Sequence, residues 1–229
     1  MAETIEKEVR IAAVLSCPRV GFCDHWGQTN YALNRFNPPI PIYYATGAFW
    51  GHSLQCLLED RIADDPNAWV LTLDYDTVFT SHHVDALIRR MLVHPEIDAL
   101  AALQLRRGSS HQPLVSLGPG VSEVEIVGQP VEAHWIHFGL TILRLNRLKD
   151  IPKPWFQDVP NKDGSWRGDR IDDDIYFWRK WKEHGNTCYI DPEVRVGHLQ
   201  VLVSEFDEDF QPKHWHMHDW REKHGVGAG

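Results

Sequence analysis

Residues 70–80 read VLTLDYDTVFT, and the fold turns on how this stretch is understood. Val70, Leu71, Thr72 and Leu73 are apolar or β-branched, the composition of a strand buried on both faces. The run stops at two carboxylates, Asp74 and Asp76, one residue apart. Like charges at the end of a buried strand repel each other and lose hydration, so the arrangement needs compensation. In open α/β sheets, ligands bind outside the carboxyl ends of strands. Strand alternation would send both side chains to the same side. Two converging carboxylates suit a hard divalent cation such as Mn²⁺ or Mg²⁺. The plain alternative is an acidic turn after a strand, since an isolated DxD triplet is common.

The flanking sequence supplies the setting. Residues 9–16 (VRIAAVLS) have the composition of a buried first strand, and 17–36 that of a long polar loop at its carboxyl end. IPIYYAT (40–46) reads as a second strand. Residues 47–64 read as a helix with Phe49, Leu54, Leu57, Leu58 and Ile62 on one face. After the strand WVLTL (69–73), residues 81–95 read as a second helix, capped by Ser81 and stopped by Pro95. IDALAALQL (97–105) is another strand. Strand and helix therefore alternate through residue 105, which predicts a mainly parallel sheet covered on both faces.

The second half is less regular. Residues 121–145 alternate in the manner of antiparallel strands. Residues 152–170, rich in Pro, Gly and polar groups, have the character of a mobile active-site loop. DDDIYFWRKWKEHG (172–185) predicts a helix with three acids in its first turn and Gly185 at its end. TCYIDPEVRVGHL (187–199) predicts a last strand pair, followed by a tail rich in His and Trp.

Composition narrows the function. A net charge of −9 opposes general nucleic-acid binding, which needs Lys and Arg against phosphate. The ten Trp serve either as core filler or as stacking walls of a cleft. Cys17, Cys23, Cys56 and Cys188 form no CxxC pair and read as reduced thiols. The charged start MAETIEKEVR has no apolar leader core, and no run approaches a membrane span. The expectation is a cytoplasmic protein, in the host cytoplasm if phage-encoded.

The order of features extends beyond the DxD. An acidic helix start (172–174), a Gly after that helix, and an isolated His in VGHL (196–199) follow it. This order resembles the GT-A glycosyltransferases, most closely the small family-2-like enzymes of bacteria and phages. Residues 137–156 also resemble the segment that precedes the acidic helix there. The resemblance spans residues 9–199 and implies a GT-A-like α/β fold: a central, mostly parallel sheet flanked by helices, with a smaller antiparallel acceptor-side part. It implies one domain over 1–229, with a nucleotide-sugar-binding half at about 9–105, an acceptor-side half at about 106–200 and a tail at 201–229. It further implies that Asp74 and Asp76 meet the metal and the nucleotide-sugar, that His198 completes the metal site, and that Asp173 or Asp174 faces the reacting centre, with Asp172 the one-residue alternative. Mn²⁺ or Mg²⁺ is the implied cofactor and a UDP-sugar the default donor. The acceptor stays open among glycans, proteins, small molecules and modified DNA bases. Two departures stand out. The acidic pair is Asp-Asp rather than Glu-Asp, and SCPRVGFCDHWG (16–27) replaces the usual opening after the first strand.

The chemistry is consistent with these residue types. A divalent ion neutralises a leaving diphosphate as a Lewis acid, a neutral imidazole can join as ligand, and a carboxylate can deprotonate an acceptor hydroxyl. Three adjacent acids exceed what a helix terminus needs, where each contributes only ~0.3–1 kcal/mol. Pro18 and Arg19 follow the first strand, where nucleotide is held in such enzymes; Arg19 is a phosphate contact or a surface residue. Arg106 and Arg107 are phosphate contacts or a solvated strand end. Gly139 admits substrate close to the backbone or marks a bulge. Trp155 and Trp166 stack on sugar or pin their loop. His214, His216 and His218 form a polar tail near the cleft or an adventitious metal trap. The competing functions are a nucleotidyltransferase acting on a sugar-phosphate, disfavoured by the lack of a Lys-bearing phosphate loop in SCPRVGF, and a non-catalytic nucleotide- or carbohydrate-binding module.

Overall fold

The computed structural model describes residues 9–18, 21–108, 112–118, 128–168 and 170–225. The first half runs β1 (Ile11–Cys17), α1 (Cys23–Leu33), β2 (Ile42–Thr46), α2 (Trp50–Asp64), β3 (Trp69–Asp74), β4 (Thr77–Val78), α3 (Ser81–Val93) and β5 (Ala99–Leu103). The second half runs β6 (Val115–Ser116), β7 (Val131–Glu132), β8 (Trp135–Ile136), β9 (Leu140–Arg144), α4 (Asp173–Glu183), β10 (Cys188–Arg195), β11 (Gly197–His198), β12 (Leu202–Phe206), β13 (Pro212–His216) and α5 (Met217–Lys223).

The central sheet has the order β2-β1-β3-β9-β5-β10-β7. Strands β2, β1, β3, β5 and β10 share one direction, while β9 and β7 oppose it. The sheet is thus mostly parallel, with β9 inserted antiparallel between β3 and β5. Both faces are covered, which explains the unbroken apolar runs of the inner strands. Val14 and Val70 point to one face with Leu54, Leu58 and Trp178, whereas Ala13, Leu15, Leu71 and Leu73 point to the other with Val84, Leu87 and Met91. Adjacent residues of one strand thereby belong to different cores.

Aromatic packing anchors α4. Phe177 stacks on Phe156 with ring centroids 4.8 Å apart, and Trp178 stacks on Phe138 at 5.0 Å. Such pairs add roughly 0.5–1.5 kcal/mol each beyond area burial. The helix ends at Gly185, whose φ of +76° lets its N–H reach back to the Lys182 carbonyl at 2.9 Å.

Several expectations need correction. The polar segment 17–36 contains α1, whose buried side is His25, Thr29, Ala32 and Leu33. The spacing is helical, but half of that stripe is polar, so an apolar-period test passes over it. Phe49 is exposed and sits just before α2 rather than on its buried face. Thr80, not Ser81, is the cap of α3, with its N–H donating to His83 Nδ1 at 3.2 Å. The segment 121–145 does pair antiparallel, as expected, β7 with β10, β8 with β6 and β9 with β3 and β5, but β9 lies in the middle of the main sheet; residues 121–127 lie outside the described residues. The tail folds as the hairpin β12–β13 followed by α5.

Two buried tryptophans on α4 differ in one respect. Trp181 Nε1 donates to the Thr187 carbonyl at 2.9 Å, whereas Trp178 Nε1 is buried with no partner among the described residues. Trp181→Phe should therefore cost about 0.5–1.5 kcal/mol more than Trp178→Phe in urea unfolding, because only the first loses a hydrogen bond, the Thr187 carbonyl keeping the one from the Ala99 N–H. Equal losses would show that ring volume alone decides at both positions.

Candidate active site

β3 ends at Asp74, and Tyr75 and Asp76 form a turn into β4. The turn is fixed from several sides. Asp74 N–H donates to the Gly139 carbonyl at 3.2 Å, and Leu199 N–H donates to the Asp76 carbonyl at 2.7 Å. His25 Nδ1 donates to the Thr77 carbonyl at 2.8 Å, and Gln104 Nε2 donates to Thr77 Oγ1 at 3.0 Å. A Cβ on Gly139 would lie 2.5 Å from Gln104 Oε1, 2.6 Å from Thr77 Oγ1 and 2.8 Å from His137 Nδ1. The space beside Gly139 is therefore filled by the protein's own polar side chains, and close approach of substrate is not its role. His137 closes this frame. It is neutral, its pKa pushed down to about 4 by burial, and its two nitrogens face the Ala102 carbonyl and the Gly139 N–H.

The turn separates the two carboxylates. A cavity of 480 Å³ is lined by Asp76 with Phe22, Tyr75, Arg107, Gln200 and His216. A second, of 400 Å³, is lined by Asp74 with Trp50, Tyr75, Arg107, His137 and Asp172–Asp174. Tyr75 and Arg107 belong to both and mark where the two spaces join. A larger cavity, of 790 Å³, lies at the amino ends of the strands between Arg10, Trp69 and Arg144, away from these groups. Position at the strand carboxyl ends, rather than size, locates the site.

In the first space, Asp76 is 2% exposed. Its Oδ2 faces His198 Nε2 at 3.2 Å and accepts a hydrogen bond from Arg107 Nη2. Burial works against its charge, but His198 and Arg107 outweigh burial and hold its pKa below the usual carboxylate range. His198 Nδ1 lies 2.8 Å from the Leu105 carbonyl, which only accepts, so Nδ1 carries the proton and Nε2 faces Asp76 and Arg107. Burial lowers the His198 pKa, and the bonds to Asp76 and Leu105 raise it to a net value above the ordinary one. In its neutral form, Nε2 accepts from Arg107 Nε at 3.1 Å.

In the second space, burial and the neighbouring Asp76 push the Asp74 carboxyl up to about 7, against the Trp50 indole, which donates to Asp74 Oδ1 at 3.1 Å. Asp172, Asp173 and Asp174 divide their tasks. Asp172 pairs with Arg170 at 2.6 Å. Asp173 uses both oxygens on backbone N–H groups: Oδ1 accepts from Asp174 at 2.9 Å and Oδ2 from Gly51 at 3.1 Å, so it caps the free N-terminus of α2. Burial, then the nearby Asp158, raise its pKa. Asp174 Oδ1 accepts from Ile175 N–H at 2.6 Å. Burial, and then Asp173 and Asp172, push its pKa up to about 6.

Asp74 and Asp76, expected to converge on one ion, line different spaces. Among the described residues, no group of three or more His, Cys, Asp or Glu side chains is placed to hold a metal. The reason is local: the chain leaves the strand at Asp74, so strand alternation no longer governs Asp76. Two ligands remain together, Asp76 Oδ2 and His198 Nε2. Their 3.2 Å separation matches the edge of an octahedron with bonds of ~2.1 Å, about 3 Å. Such ions usually take one or two protein ligands and complete their shell with phosphate and water, so this pair fits Mg²⁺ or Mn²⁺.

Other candidates fare variously. Pro18 lies just past β1 and lines neither space; Arg19 lies outside the described residues. Arg106 turns towards the Trp135 ring, 6.0 Å away. Trp155 is 3% exposed and bonded to the Ile151 carbonyl, so it pins its loop and offers no stacking face. Trp166 is exposed. His214 bonds Ser204, while His216 and His218 reach the Asp76 space. Trp50, Tyr75 and His137 were not foreseen as site residues. For Trp50 the available signal was an indole at the first turn of a helix that follows a strand, on the same edge as Asp74.

No protein-family profile and no curated protein matches the chain. Solved structures do. A197 from STIV superposes with a TM-score of 0.56 at 14% identity, covering 89% of this chain and 94% of that one. The mannosyltransferase PcManGT from Pyrobaculum calidifontis, in complex with GDP-Man and Mn²⁺, gives 0.48 at 11% identity over 94% of this chain and 60% of that one. GalNAc-T7 with UDP, GalNAc and Mn²⁺ gives 0.46 at 12% over 84% and 44%. At such identities the likeness is one of fold. The chain has a GT-A-like α/β fold.

Two outcomes follow from the acidic helix start. A Cβ on Gly51 would collide with Asp173 Oδ2 and approach Phe156 Cβ to 2.7 Å. Gly51→Ala should destabilise by ~1–3 kcal/mol in denaturant unfolding; an unchanged midpoint would show that α2 and α4 do not meet there. The Asp174 carboxyl, held at about 6 against an ordinary 3.8, binds its proton more tightly in the folded state. Its contribution to stability is full below the ordinary value and is lost as pH rises through about 6. In EDTA, the unfolding free energy of Asp174→Asn should therefore gain on that of wild type from about pH 4 to about pH 7.5, by the order of 1–3 kcal/mol, read by denaturant unfolding at each pH. A difference independent of pH would remove the raised carboxyl from the account.

Proposed function

We propose that this protein is a divalent-metal-dependent glycosyltransferase that moves a sugar from a nucleoside diphosphate-sugar, a UDP-sugar by default, to an acceptor hydroxyl. The observation that carries the reading is the pair of joined spaces at the strand carboxyl ends. One is lined by Asp76, which with His198 against it forms a ligand pair suited to a divalent ion. The other holds a carboxylate with a raised pKa and a free oxygen. A diphosphate-sugar has the same division: an anionic half to be neutralised and a sugar half to be attacked.

Asp76 Oδ2 and His198 Nε2 would hold the ion, which supplies Lewis-acid neutralisation of the leaving diphosphate. Asp174 is the proposed base. Its Oδ1 is occupied by the Ile175 N–H, leaving Oδ2 to take the acceptor hydroxyl proton. A carboxyl near pH 6 is ionised at neutral pH yet more basic than an ordinary one. The acceptor oxygen forms its bond to the anomeric carbon, the bond from that carbon to the phosphate oxygen breaks, and the electron pair leaves with the diphosphate. Asp173 positions Asp174 by tying the start of α4 to α2. Asp74, oriented by the Trp50 indole, contacts the donor beside the joined opening. Phe138 and Trp50 form the apolar wall of the sugar-side space.

The test is transfer of labelled sugar from a panel of nucleotide-sugars, read beside calorimetric UDP binding in Mn²⁺. Asp76→Ala should lose metal-dependent UDP binding while remaining folded. Asp174→Asn should bind UDP as wild type does and lose ~10²–10⁴ in turnover, the usual contribution of a positioned base. Wild-type UDP affinity in Asp76→Ala, or wild-type turnover in Asp174→Asn, would contradict the assigned role.

A further inference from the structure

Arg107 occupies a position that the proposed chemistry does not use. It follows β5 in a loop, and its guanidinium reaches back into the Asp76 space. Nη2 donates to Asp76 Oδ2, Nε donates to His198 Nε2 at 3.1 Å, and Nη2 also faces the Tyr75 hydroxyl at 3.4 Å. These are the two atoms, Asp76 Oδ2 and His198 Nε2, that would ligate the ion. The guanidinium contacts both atoms, and in neutral His198 it takes the single lone pair of Nε2.

Exposure shows which side of the contact can move. The side chains of Asp76 and His198 are 2% and 10% exposed, that of Arg107 54%. The anionic partner is fixed within the frame of Thr77, Leu199 and Leu105, whereas the cation sits at the end of a flexible, solvated arm. Arg107 also lines both spaces, so leaving Asp76 does not take it out of the site.

We infer that Arg107 is a resident counter-cation of the metal pair: it neutralises Asp76, must leave before a divalent ion can bind, and then turns its fork to the donor diphosphate. Neutral His198 has one lone pair on Nε2, which cannot serve Arg107 and an ion together, so the exclusion is mutual. A buried carboxylate without a partner is costly, which explains the guanidinium beside Asp76. A released guanidinium needs a new anion, and its planar fork matches phosphate oxygens in a bidentate way. Nucleotide would thus favour metal binding both by offering ligands and by giving Arg107 another partner, and linkage makes that help reciprocal. This inference rests on the donor being a diphosphate, as proposed above.

The experiment is a pair of titrations on the full chain. Mn²⁺ binding without nucleotide is followed by the electron paramagnetic resonance signal of the free ion, and UDP binding at saturating Mn²⁺ by calorimetry. Arg107→Ala should bind Mn²⁺ alone roughly 10-fold or more tightly than wild type and bind UDP roughly 10-fold or more weakly, the scale of a charge-assisted contact. Arg107→Lys, which keeps the charge but not the fork, should fall between in both titrations and guards against a folding defect in the first variant. A structural role would weaken both affinities together. Unchanged or weaker Mn²⁺ binding in Arg107→Ala, with wild type binding the ion, would overturn the inference and leave the proposed transfer intact. If neither protein bound Mn²⁺ and UDP bound equally in EDTA, the metal reading itself would fall and the inference with it.

Discussion

The site is built round one buried anion. Asp76 is almost wholly removed from water, and a carboxylate in that position stands only if hydrogen bonds and a cation surround it. Its carbonyl receives Leu199, its Oδ2 receives Arg107, and His198 is turned towards it by the Leu105 carbonyl. Thr77, the next residue, is held in turn by His25 from α1 and Gln104 from the end of β5. Elements from both halves of the chain therefore converge on a single turn. The antiparallel strand β9 contributes through Gly139, the residue before it, whose missing side chain leaves room for that polar frame.

A second constraint acts across the turn. Asp74 and Asp174 lie on the sugar side with raised pKa values, and among the described residues neither forms an ion pair as Asp76 does with Arg107. This unbalanced charge costs stability, and costs of this kind concentrate at functional sites. The three acids of the α4 start show how neighbours acquire different work. Asp172 meets Arg170, Asp173 caps α2, and Asp174 keeps one oxygen free. Three adjacent identical residues cannot be told apart by type; only the helix opposite separates them.

Much of this was legible in the sequence. The apolar runs of β1, β3 and β5 and the helices α2 and α3 follow from pattern alone, the DxD and the acidic helix start belong to the lining of the two spaces, and the terminal His packs against Asp76. What escaped did so for physical reasons. α1 buries His25 and Thr29, so its stripe is half polar. β9 enters the middle of the sheet, and periodicity does not encode strand order. Asp76 departs from Asp74 because the chain turns at Tyr75, a feature that a period-2 rule cannot see. Arg107 was visible as a cation after a strand, but its partners come from 31 and 91 residues away.

The central claim is that Asp76 and His198 form the protein's half of a divalent-ion site that faces a diphosphate. Anomalous diffraction from crystals grown with Mn²⁺ and UDP tests it most directly. The account predicts one strong peak ~2.1–2.2 Å from Asp76 Oδ2 and His198 Nε2, with diphosphate oxygens completing the shell and Arg107 turned away from the pair. UDP bound with no peak between these residues, and Arg107 still bridging them, would contradict it.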